Sequence, residues 1–109
     1  MFNVDPVLEL LGRAVDLTAL RHSVYATNIA NASTEGYSRI EVAVADAPDA
    51  ALDGAVLGEP RVVTTPGEAV RLDEEMAGMA RNAVRYQALL AAYEKAMSLL
   101  RSAARDGRE

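Results

Sequence analysis

The sequence predicts a mainly α protein: two long terminal helices packed as an antiparallel hairpin or coiled coil, with a small β-containing or flexible middle segment. Apolar residues recur at helical spacing towards each end, and the later series keeps a heptad rhythm from Leu72 to Ala104. Between the two series, glycine and proline break the chain repeatedly. With 109 residues there is room for one small domain, so residues 1–109 are read as a single unit. Half the residues are apolar, yet the aromatic ones are only Phe2, Tyr25, Tyr37, Tyr86 and Tyr93. Small side chains suit close helix packing better than a roomy ligand pocket.

Asp5-Pro6 marks the first helix start, because a carboxylate can cap freed backbone N–H groups and proline lacks the N–H that the first turn leaves unpaired. The helix is expected over residues 5–32. At about 100° per residue, Val7, Leu8, Leu11, Ala14, Val15, Tyr25 and Ile29 gather on one side, with Glu9, Asp16 and Ser23 opposite. Leu10, Leu17, Leu20 and Val24 widen the apolar face beyond what one partner helix covers.

Residues 33–71 form the middle excursion, punctuated by Gly36, Pro48, Gly54, Gly58, Pro60, Pro66 and Gly67. Ile40, Val42 and Val44 alternate with Glu41 and Ala43 as in a short strand. Pro66-Gly67 suits the central positions of a type II turn, which would join residues 61–65 and 68–72 as a small hairpin. Isolated hairpins are marginal in water, so much of this region, including residues 45–60, is expected to be mobile unless something packs on it.

The second helix is expected over residues 73–105. Asp73, Glu74 and Glu75 place negative charge at the positive end of its dipole, and Arg101 and Arg105 answer the negative end. Leu72, Met76, Met79, Ala83, Tyr86, Leu90, Tyr93, Met97, Leu100 and Ala104 recur at alternating spacings of four and three. Such a helix is roughly 50 Å long at about 1.5 Å per residue. A compact globule of this size cannot cover it, so the seam calls for the first helix, another chain, or both.

Composition narrows the chemistry. With no cysteine, thiol catalysis and disulfides are excluded. A net charge of -5 and no basic cluster argue against nucleic acid. Glu41, Asp46, Asp49, Asp53 and Glu59 read as a solvated acidic segment, since they lack calcium-loop spacing. Arg13, Asp16 and Arg21 interrupt the most apolar stretch, so no membrane span is expected. The start lacks the basic residues of a cleavable signal. His22, the single histidine, is read as a core or interface residue, and Glu74 and Glu75 as dipole partners; no catalytic, metal or cofactor residue is assigned. Tyr86, Tyr93 and the four methionines read as packing residues.

The stretch Thr27-Asn28-Ile29-Ala30-Asn31-Ala32-Ser33-Thr34-Glu35-Gly36-Tyr37 is different in kind. Asn28 and Asn31 are placed to bond freed carbonyls or a neighbour's backbone at a helix end, Gly36 to take a positive φ, and Tyr37 to anchor the exit. This segment resembles the signature of the flagellar axial proteins (rod, hook and hook-associated subunits), approximately A-x-N-[IL]-A-N-x-x-T-P-G-[FY]. Ala26, Asn28, Ile29, Ala30, Asn31, Thr34, Gly36 and Tyr37 match it, and Glu35 replaces the usual proline.

The short length resembles the proximal-rod members, which lack large inserted β domains. Leu72-Asp73-Glu74-Glu75-Met76, Arg85-Tyr86-Gln87-Ala88-Leu89, Leu99-Leu100-Arg101-Ser102-Ala103 and Leu11-Gly12-Arg13-Ala14-Val15-Asp16-Leu17 look most like the FlgB family. The resemblance covers residues 7–44 and 68–104. It implies a non-enzymatic subunit, exported unfolded and uncleaved by the flagellar type III apparatus, with Phe2 the candidate export residue. It would self-assemble in the periplasmic rod of the basal body, with FlgC, FlgF and FlgG and on FliE and the membrane ring, as part of the drive shaft for motility. Leu11, Val15, Tyr25, Leu72, Met76, Met79, Ala83, Tyr86, Leu90, Tyr93, Met97 and Leu100 are the expected packing and assembly residues. The alternatives are another proximal-rod subunit of FlgC type, or a cytoplasmic helical-hairpin dimerisation or adaptor protein.

Overall fold

The computed structural model of the protein describes residues 5–44 and 59–107. Its order is α1 (Asp5–Ala30), β1 (Ile40–Val44), β2 (Pro60–Thr64) and α2 (Leu72–Asp106). The helices pack antiparallel along their length: Gly12 lies under Tyr93, Thr18 meets Asn82, and Tyr25 covers Gly78. The result is long and thin, with extents of 64 × 29 × 15 Å. The predicted fold class is the observed one. Phe2 and the acidic residues Asp46, Asp49 and Asp53 lie outside the described residues.

α1 ends two residues earlier than residue 32, and residues 31–33 continue as turns. α2 begins at Leu72 after an extended Arg71 that offers no side-chain cap, and closes at Gly107, whose N–H bonds to Ala103. Glu9, Asp16 and Ser23 are exposed, as their spacing predicted. His22 is exposed too, so it is not a core residue of the single chain. It falls one residue past Arg21, outside the run through Thr18, Tyr25 and Asn28 that faces α2.

The strand at residues 40–44 forms as predicted, but the hairpin does not fold about Pro66-Gly67. β1 and β2 pair antiparallel, with Ile40 opposite Thr64 and Val44 opposite Pro60. Residues 68–71 carry no strand. Val62, Val63 and Thr64 offer β1 a branched partner, whereas Glu68-Ala69 does not. The Pro66-Gly67 turn itself is present: Gly67 has φ 77° and the Glu68 N–H donates to the Thr65 carbonyl at 3.1 Å. It steers the chain into α2.

The helix seam departs most from the reading of α2 as a simple apolar heptad. Its buried residues are Glu75, Gly78, Asn82 and Ala96. Leu72, Met76 and Tyr86, on the predicted stripe, are exposed by 46%, 57% and 36%, and Ala83 is exposed as well. Met79, Leu90, Tyr93, Met97 and Leu100 are half-buried, as are Leu11, Val15 and Tyr25 on α1. At about 100° per residue, the face that meets α1 is rotated by roughly 70° from the predicted stripe. Backbone approach decides the rotation. A Cβ at Gly78 would stand 2.6 Å from the Tyr25 ring, so any larger residue there would force that side chain to shift. Among the described residues the buried apolar side chains are Val24 and Ala96 alone, beside buried Thr18, Asn28, Glu75 and Asn82.

Candidate functional site

The asparagine segment builds a polar clasp where α1, β1 and the first turn of α2 meet. Asn31 closes the helix end, its amide donating to the Thr27 carbonyl at 2.9 Å and its oxygen accepting from the Thr34 hydroxyl at 3.1 Å. The chain then reverses through Thr34, Glu35, Gly36 and Tyr37, with the Tyr37 N–H donating to the Thr34 carbonyl at 3.2 Å and Gly36 at φ 78°. This is the type II pattern, in which the second position favours proline and the third needs glycine. Glu35 occupies the proline position and the turn still forms. Ile29 is half-buried, while Ala30, Thr34 and Gly36 are exposed.

Asn28 is fully buried, and its carboxamide behaves as a short piece of neighbouring strand. Its Nδ2 donates to the Ile40 carbonyl at 2.8 Å and its Oδ1 accepts from the Ile40 N–H at 3.0 Å. Only a side chain with donor and acceptor side by side can capture both backbone groups of one residue. The Tyr37 hydroxyl adds a bond to Oδ1 at 2.8 Å, and Nδ2 also donates to Glu75 Oε2 at 3.2 Å. The Ile40 N–H, the Ile40 carbonyl and the Glu75 carboxylate all require the same amide orientation, and the Tyr37 hydroxyl conforms to it.

Glu75 overturns the reading that the helix dipole alone explains it. It is 2% exposed, and its other oxygen accepts from Arg39 Nε at 2.6 Å. Glu74 does follow the simpler reading: it is exposed and pairs loosely with Arg71 at 3.4 Å. Arg39 also reaches Glu41 at 3.0 Å and Glu68 at 4.0 Å. The Glu75 hydrogen bond, against the opposing effect of burial, holds the guanidinium above its ordinary pKa, with Glu41 adding to the rise. Arg39 therefore keeps its charge throughout the working pH range. Its backbone is engaged as well, donating to Glu68 and accepting from both the N–H and the hydroxyl of Thr65.

A second polar contact lies further along the seam. Asn82 Nδ2 donates to the Thr18 carbonyl at 2.7 Å, while its buried Oδ1 has no partner. The Thr18 hydroxyl turns back onto its own helix, donating to Val15 at 2.8 Å and Ala14 at 3.2 Å. Sequence reasoning singled out Asn28, Gly36 and Tyr37 but missed Arg39, Gly78 and Asn82. A signal was available: Glu75 and Asn82 are polar residues one heptad apart in an apolar-rich helix, with glycine between them. The structure joins Asn28 and Tyr37 directly to each other, whereas Leu72, Met76 and Ala83 stand away from α1 as an exposed stripe.

In comparison with known proteins, the chain matches no protein-family model and no curated sequence. Among the described residues no three acidic or histidine side chains converge to hold a metal ion, and no helix is long and apolar enough to cross a membrane. The geometry itself is that of a positioning device. It fixes how a β-ribbon leaves a helical hairpin.

Proposed function

We propose that the chain is a non-enzymatic structural subunit of the proximal rod of the bacterial flagellar basal body, of the FlgB type. The observation that carries this reading is the clasp. The residues that resemble the axial-protein signature are those that end α1, turn the chain and seize Ile40. A motif with so specific a mechanical role, set between two terminal helices, suits a repeating subunit that must present its parts at a constant angle. Apolar side chains left outside the helix pair support it further. Leu72, Met76, Val84 and Leu99 are each at least 46% exposed, which an isolated hairpin has no use for and a packed tube does.

In this reading the subunit is exported without cleavage and joins FlgC, FlgF and FlgG above FliE and the membrane ring. Function lies in the contacts between subunits. Replacing Leu90 by Asp should prevent incorporation into purified basal bodies and abolish swimming. Normal motility in that variant overturns the proposal. A stable, fully helical dimer in sedimentation and circular dichroism at micromolar concentration would favour the adaptor alternative instead.

A further inference from the structure

We infer that Asn28, Arg39 and Glu75 form a two-stage latch that makes placement of the β-ribbon conditional on the pairing of α1 with α2. Among the described residues, every hydrogen bond or ion pair between the ribbon and the helices runs through Asn28 or Glu75. The ribbon has two strands of five residues and is too small to hold a position by itself. What it lacks in core it takes from these two side chains.

The stages differ in chain separation. Asn28 and Ile40 are 12 residues apart, so this grip closes a short loop and can form from α1 and its turn alone. Glu75 lies 36 residues from Arg39 and 47 from Asn28, and reaches both only when α2 lies against α1. It is 2% exposed, and Arg39 is held by its Nε at 2.6 Å with the side chain mostly covered. Should the helices separate, Arg39 loses its buried carboxylate and Asn28 its charged acceptor in one event. The ribbon then keeps only the local grip. Ribbon position therefore reports helix pairing, whatever the chain assembles with.

Hydrogen exchange on the full chain tests this, using Glu75→Gln, Arg39→Met and the double variant, with peptides resolved along the sequence. In the unaltered chain the ribbon amides should be protected. Each single variant should speed exchange of residues 39–44 and 60–68 by at least ~10-fold, leaving the middles of α1 and α2 within about twofold. The double variant should exchange no more than about twofold faster than the faster single, because both changes remove one coupled contact. Uniform acceleration along the chain overturns the inference, since Glu75 would then be a general stabiliser. So does an unchanged or unprotected ribbon, and so do additive effects in the double variant.

Discussion

The two sides of α2 are built on opposite principles. Towards α1 it presents Glu75, Gly78 and Asn82, a carboxylate that meets Asn28, a bare backbone beneath Tyr25 and an amide that meets Thr18. Away from α1 it exposes Leu72, Met76, Val84 and Leu99. Hydrophobic attraction is non-directional, whereas a buried hydrogen bond is satisfied in one geometry. The contact within the chain is therefore specified by polar chemistry in register and orientation. Part of the apolar area that would ordinarily fill a core, at Leu72, Met76, Val84 and Leu99, faces outwards, where a neighbour can use it.

The contrast breaks most sharply at Asn28. Replacing it by Ala strips the Ile40 N–H and carbonyl, the Tyr37 hydroxyl and Glu75 of a shared partner. The expected loss is about 2–4 kcal/mol, since each buried polar group left unmatched costs about 1–3. Urea unfolding followed by circular dichroism measures it, and a loss below about 1 kcal/mol would show that the ribbon does not depend on the amide.

A smaller effect of opposite sign is expected at Asn82. Replacing it by Leu removes a buried oxygen that has no partner and adds apolar area to the seam. Thermal unfolding should show a gain of about 1 kcal/mol, accompanied by looser helix register. Cysteines placed at exposed flanking positions would then cross-link in more than one pairing. Higher stability with a single pairing would assign register to Gly78 and the clasp alone.

The smallest effect belongs to the outer face. Met76→Ser should change the stability of the single chain by no more than about 0.5 kcal/mol, because Met76 is 57% exposed. The same substitution should weaken any association that uses this face, read by sedimentation at increasing concentration. A large loss of single-chain stability would place Met76 in the intramolecular seam instead.

Much of this arrangement was legible in the amino-acid order. Periodicity located both helices to within one or two residues, alternation found β1, and the demands of positive φ marked Gly36 and Gly67. The asparagine segment stood out because amides at a helix end have a stated job. Less visible was the job Asn28 performs, since its target, Ile40, is an ordinary aliphatic residue whose backbone alone is recognised.

By itself the sequence determined the two helices, the strand at residues 40–44 and their order, because local spacing and turn chemistry act over a few residues. Tertiary structure alone decided which side of α2 turns inward and which strand β2 joins. It also converted Glu75 from a helix-start charge into the buried partner of Arg39. Those choices depend on contacts tens of residues apart. There, a glycine's missing Cβ or one well-placed amide outweighs a longer row of leucines and methionines.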